Sequence, residues 1–171
     1  ARLLKRPERP YVAILGGAKV SDKIDLIERL LERVDTILVG GAMAYTFLKA
    51  AGQPVGTSLV EEHLLETAKA LTKRAADRGI TFELPVDHVV APKLEAGAPT
   101  ATLAIGDPAI GDRMGLDIGP ETIALYTSII QTAKTVVWNG PMGVFEMAPF
   151  AAGTMAVAHA VAAVQGTTII G

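Results

Sequence analysis

Gly16 to Lys23 reads GGAKVSDK, directly after the apolar run Tyr11–Leu15 (YVAIL) and directly before a helical pattern. Two glycines therefore sit where a strand ends and a helix is due to start. Such a junction exposes backbone N–H groups, and glycine lets a ligand approach them closely. Lys19 and Lys23 fall four apart, which on a helix puts both on one face. Positive charge in a first turn opposes the helix dipole by about 0.3–1 kcal/mol per charge. A bound anion with several negative charges would offset that. Taken alone, the stretch also reads as a tight turn followed by two solvated lysines, softened by Asp22 and Asp25.

Moving outward, the same strand–glycine–helix order recurs. Ser21 is placed to cap a helix that runs to Arg33, with Ile24, Ile27, Leu30, Leu31 and Val34 as its apolar stripe. Thr36–Val39 (TILV) is a second strand and leads into Gly40-Gly41-Ala42. The helix Met43–Ala51 follows, closed by Gly52 in the left-handed conformation that ends many helices. Glu61–Arg78 reads as a long helix and Ile80–Leu84 as a third strand, with His88–Ala91 extending the pattern. From Pro92 to Pro120 the periodicity fails, leaving Thr102–Ile105 as the one strand candidate in an irregular excursion. Pro120–Gln131 is helical with Pro120 near its first position, Thr135–Trp138 is a strand, Pro149–Val164 is an alanine-rich helix, and Thr167–Ile170 is the last strand.

This rhythm predicts an α/β fold: a doubly wound, mainly parallel sheet with helices on both faces, Rossmann-like and three-layered. Residues 1–171 are expected to form a single domain. Half of the residues are hydrophobic and the mean hydropathy is +0.36, as suits a sheet covered on both sides. The chain has no cysteine, which excludes disulfides and thiolate metal sites. Its net charge of −2, from 16 basic and 18 acidic residues, argues against nucleic acid as a partner. No apolar run approaches the roughly 18 residues of a membrane span. No secretory leader is visible, and a cytoplasmic location is expected. The chain opens without methionine and stops on an apolar strand-like run, which predicts a piece truncated at its C-terminal end.

Glycine turns at strand ends place a ligand site at the carboxyl edge of the sheet. Neither GxxxxGK[ST] nor GxGxxG is present, so the standard nucleotide fingerprints do not apply. Four segments in order instead resemble the C-terminal, nucleotide-binding domain of the phosphoglycerate kinase family. They are PERPYVAILGGAKVSDKI (Pro7–Ile24), VGGAMAYTFLKA (Val39–Ala50), MGLDIGPET (Met114–Thr122) and VVWNGPMGVFE (Val136–Glu146). The resemblance covers nearly the whole chain.

It implies phosphoryl transfer between 1,3-bisphosphoglycerate and ADP, in glycolysis, with magnesium carried on the nucleotide. By the same resemblance Lys23 meets the phosphoryl group in flight and Lys19 holds the terminal phosphate of ADP or ATP. Gly17, Ala18, Gly40 and Gly41 form walls for the adenine, and Leu59, Gly115, Leu116 and Val144 complete an apolar slot. Glu146 accepts from the ribose hydroxyls, and Asn139 lies by the phosphate chain. The chemistry suits these types, because phosphoryl transfer is mostly positioning and charge neutralisation.

The family's glycine-rich loop with a magnesium-binding aspartate is due at Gly171, so no metal-ligating residue is assigned. Its N-terminal phosphoglycerate-binding domain is also missing. The resemblance therefore implies a fragment of a monomeric two-domain kinase, binding nucleotide weakly or not at all and inactive alone. A non-catalytic adenine-nucleotide module of the same fold is the alternative. Trp138 is read as core. Met43 and Met114 are read as packing. His63, His88 and His159, with no ligand-like spacing, are read as structural.

Overall fold

A computed structural model describes residues 6–171. Its main sheet has five strands, all parallel: β1 (Tyr11–Leu15), β2 (Thr36–Val39), β3 (Thr81–Glu83), β7 (Thr135–Asn139) and β8 (Thr167–Ile170). Their order across the sheet is β3-β2-β1-β7-β8. On one face lie α1 (Ile24–Leu30), α2 (Met43–Ala50) and α3 (Leu65–Asp77), packed on Tyr11, Ala13, Leu15, Ile37 and Val39. On the other lie α4 (Pro120–Thr132) and α5 (Ala152–Ala162), packed on Val12, Ile14, Leu38, Val136 and Trp138. Alternate residues of each central strand thus feed opposite cores, which is why these strands are apolar throughout. The doubly wound three-layer arrangement expected from the sequence is present, and Trp138 is core.

The strand order reverses between β1 and β7. From β1 the chain proceeds to one side through β2 and β3, and from β7 to the other through β8. In open α/β sheets the crevice at such a reversal, outside the carboxyl ends of the strands, is where ligands bind. Both glycine-bearing turns, Gly16-Gly17 and Asn139-Gly140-Pro141, lie there.

Two expectations need correction. The first concerns 92–120, which is not irregular throughout. It carries β5 (Ala101–Ala104) and β6 (Met114–Ile118), which flank β4 (Asp87–Ala91) in a second sheet, antiparallel, of order β5-β4-β6. His88–Ala91 therefore does not extend the parallel pattern. Strand β6 (MGLDI) is hard to read because its glycine and aspartate are poor strand formers. Both have packing reasons: a Cβ on Gly115 would lie 1.6 Å from the Tyr45 hydroxyl, and the buried Asp117 carboxylate accepts the N–H groups of Ile118 and Gly153.

The second correction concerns Ser21, which caps nothing. Lys19 is extended, Val20–Asp22 is a 3-10 turn, and α1 begins after Lys23. The Ser21 N–H goes to the Glu61 carboxylate at 3.2 Å instead. Lys19 and Lys23 consequently do not share a helix face.

Helix α4 is capped from outside its own chain segment. Asp87 accepts the N–H groups of Glu121 at 2.9 Å and Thr122 at 2.8 Å, and the Thr122 hydroxyl at 2.6 Å. This satisfies donors that a helix start leaves open, with a negative charge where the dipole favours one. It also ties the second sheet to the main body. No helix among the described residues is long and apolar enough to cross a membrane.

Candidate functional site

Three strand ends are knitted into one platform. The Gly16 N–H donates to the Asn139 carbonyl at 2.8 Å, that of Gly17 to Pro141 at 3.0 Å, and that of Gly41 to Met142 at 3.0 Å. The Met43 N–H at the start of α2 donates back to the Gly17 carbonyl at 3.0 Å. Such close backbone approach needs glycine. Gly140 has φ +94°, and a Cβ there would lie 2.3 Å from the Gly16 carbonyl oxygen.

Against this platform lies a mostly apolar cavity of about 210 Å³, closed on its far side by β4 and β6 of the second sheet. Gly17, Ala18 and Gly41 line it from the platform. Leu59, Gly115 and Leu116 line it from the opposite side, and Val144 and Glu146 from the segment after β7. Leu59 is 60 % exposed in spite of its apolar side chain. Of the residues expected at the site, these eight share one cavity.

The other four lie elsewhere. Gly40 is buried beneath Met142, whose sulfur would lie 2.4 Å from a Cβ there, so it is a packing glycine and not a wall. Lys19 is exposed on an extended residue and does not line the cavity. Lys23 and Asn139 are joined to each other by a hydrogen bond from the ammonium to the side-chain oxygen. They stand at the rim, since a Cβ on Gly17 would lie 3.6 Å from Lys23 Cε and 3.9 Å from Nζ. Partial burial lowers the Lys23 pKa, against the raising effect of Asp22.

Three polar residues in the cavity wall were not among the expected ones: Tyr45 on α2, His88 on β4 and Asp117 on β6. Burial pushes His88 down to about 4, with the charge of Asp87 pulling the other way. Burial pushes Asp117 up to about 6, against the N–H donors of Gly153 and Ile118. Met114, read as packing, also lines the cavity. No local pattern marks these residues, because the antiparallel sheet that brings β4 and β6 to the platform is a long-range pairing. Among the described residues no group of three or more His, Asp or Glu is placed to hold a metal ion.

The arrangement is a mostly apolar cavity with a lysine at its rim, set at the reversal of strand order. The phosphoglycerate kinase family model matches residues 1–171. The phosphoglycerate kinase of Clostridium novyi is 56% identical over 168 residues, which are 98% of this chain and 42% of that protein. That of Roseiflexus sp. is 55% identical over the same shares. Among solved structures, phosphoglycerate kinase from Coxiella burnetii superposes with a TM-score of 0.95 at 42% identity, covering 98% of this chain and 43% of that one. The enzyme from Pyrococcus horikoshii OT3 gives 0.80 at 31% identity, covering 95% and 42%. The chain spans about two-fifths of the length of these relatives, and it belongs to the phosphoglycerate kinase family.

Proposed function

We propose that this chain is the nucleotide-binding domain of a phosphoglycerate kinase, a phosphotransferase that moves a phosphoryl group between 1,3-bisphosphoglycerate and ADP, or in reverse from ATP to 3-phosphoglycerate. The observation that carries this reading is the Lys23–Asn139 pair at the rim of an apolar slot on the switch point of the sheet. Adenine lies in the slot between the Gly17–Ala18 and Gly41 backbone and the Leu59, Leu116 and Val144 side chains. Glu146, exposed at the lip, accepts from the ribose hydroxyls. The phosphates then point along the platform towards Lys23, with Lys19 free to reach them from outside.

Chemistry follows from placement. Little covalent work is asked of the protein; charge on the equatorial oxygens of the moving phosphoryl group must be neutralised as it passes. Lysine suits this, as a compact cation on a flexible stem. Asn139 is a neutral acceptor, so it orients the ammonium without cancelling its charge. Magnesium would come bound to the nucleotide's phosphates, as is usual for this ion. The described residues offer no group of three or more His, Asp or Glu for it. The acyl-phosphate substrate belongs to the other domain of the cytoplasmic, monomeric parent. These 171 residues assayed alone would lack the proximity contribution of about 7–11 kcal/mol that the other domain supplies.

The test is calorimetric titration of the 171-residue chain with ADP, with and without magnesium, beside a coupled kinase assay. Weak binding without turnover is expected. Turnover above the uncatalysed rate, in material free of host kinase, would overturn the division of labour. Micromolar or tighter binding that strengthens with magnesium would show that this chain alone provides a metal site.

A further inference from the structure

His88 is 1 % exposed, yet it lines the cavity. Its Nδ1 lies 2.9 Å from the Tyr45 hydroxyl, and the two rings stack at 5.7 Å and 26°. Its neighbour Asp87 is occupied with Glu121 and Thr122. Nothing among the described residues hydrogen-bonds His88 Nε2. Among those residues, the one side-chain polar atom both sealed from solvent and unpartnered is the Tyr11 hydroxyl. Nε2 is therefore not sealed, and the open space beside His88 is the cavity.

The tautomer follows from the partner. The Tyr45 hydroxyl is buried, and its one acceptor among the described residues is His88 Nδ1. A buried O–H proton left without an acceptor is costly, so Tyr45 donates and Nδ1 accepts. The ring proton then sits on Nε2, which becomes a donor. Burial keeps the imidazole neutral near neutral pH, so the donor is uncharged. Around it the wall is largely apolar, with Leu116, Ile118 and Met142 among its members. An aromatic ring entering this slot meets a directed N–H there, and the ring nitrogens of a purine are acceptors lying in the ring plane.

Granted that the slot takes a nucleobase, we propose that His88 is a specificity-determining residue: its Nε2–H donates to a ring nitrogen of the purine, and Tyr45 holds it in the tautomer that can do so. Gly115 leaves the room that the Tyr45 hydroxyl occupies, since a Cβ there would lie 1.6 Å from it. The pair thus rests on the floor of the slot as one preset donor.

Adenosine is the probe, since it has no phosphates to bring Lys23 into play. Its affinity for the wild-type chain is compared by NMR titration with those of 1-deaza-, 3-deaza- and 7-deazaadenosine, each lacking one ring acceptor. One analogue is expected to bind about tenfold more weakly, the worth of one hydrogen bond with its donor left unpaired. His88→Phe should close that gap, and Tyr45→Phe should narrow it. In wild-type protein labelled with ¹⁵N at histidine, Nε2 should carry the proton, and its signal should move with adenosine but not with the weak analogue. Equal affinity for all four compounds, a gap that persists in His88→Phe, or a bound state protonated at Nδ1 would overturn the proposal. The wild-type comparisons stand even where a variant fails to fold. If neither adenosine nor ADP binds, the nucleotide reading falls and this proposal falls with it. If adenosine binds without discrimination, only the role of His88 falls.

Discussion

The Lys23 ammonium donates to the side-chain oxygen of Asn139, 116 positions away, and so ties the start of α1 to the end of β7. The bond crosses the point where strand order reverses. It holds a cation at the mouth of the slot with its charge uncompensated by the partner that orients it. Under the proposed function, a phosphate arriving on the platform would meet a lysine already in place.

From this follows the behaviour of Lys23→Ala in a full-length phosphoglycerate kinase carrying this chain. In the role proposed for Lys23, the charge it meets would be greatest in the transition state, and interactions made only there raise kcat. By comparison with loss of one oxyanion donor, kcat should fall roughly 10²–10³-fold while the KM for ADP changes little. Steady-state kinetics decide it: an unchanged kcat with a raised KM would make Lys23 a ground-state binding residue.

Gly140 and Gly52 both have positive φ, +94° and +87°, but differ in surroundings. A Cβ on Gly140 would strike the Gly16 carbonyl, whereas nothing lies within 4 Å of one on Gly52. Gly52→Ala should lose only the left-handed penalty of about 1–2 kcal/mol. Gly140→Ala should lose clearly more, because the β1 and β7 turns must part. Urea denaturation of the two variants measures this, and equal losses would show that the platform yields easily.

Acid should act on the slot through two groups of opposite sign. Native His88 titrates at about 4 and an ordinary histidine near 6.5. Between those values the unfolded chain binds the extra proton, so this contribution to stability is lost as pH falls. Asp117 titrates at about 6 against an ordinary 3.8. Between those values the native chain binds the extra proton, so this contribution grows as pH falls. Each is worth up to about 3 kcal/mol. His88→Phe should therefore gain stability relative to wild type as pH drops from about 6.5 to about 4. Parallel stability curves for the two proteins would contradict these shifts.

The five parallel strands were legible because their signal is local: short apolar runs, which in β1 and β2 lead into glycine and then a helical stripe. Seven of the eight residues that line the cavity lie in the short motif segments; Leu59 lies outside all four. What escaped lies in long-range pairing. Strand β6 hides a glycine demanded by Tyr45, from α2, and an aspartate whose partner Gly153 lies in the first turn of α5. His88 looked structural because its neighbours in sequence say nothing of the cavity. Lys19 and Lys23 looked like one helix face because a 3-10 turn has no distinct sequence signature. Gly40 looked like a wall because its true neighbour, Met142, is a hundred positions away.

Strand β8 forms one edge of the main sheet, and it is short and largely exposed, with Ile170 at 66 %. Met155 on the neighbouring α5 is 57 % exposed. An open apolar edge is a template for pairing with another chain. The 171-residue chain should self-associate as its concentration rises, and Ile170→Lys should suppress this. Light scattering from a clean monomer at high concentration would count against it.

In the proposed function, the slot at the switch point receives an adenine nucleotide. Amide chemical-shift mapping of the ¹⁵N-labelled chain during ADP titration tests this most directly, and it suits weak binding, with Kd about 1 mM or somewhat tighter. Saturable shifts are expected to concentrate at Gly17, Gly41, Gly115 and Val144, with the Lys23 and Asn139 neighbourhood following. Shifts concentrated in the polar groove at Arg9, Asp35 and Arg78, or no saturable shift at any position, would contradict it.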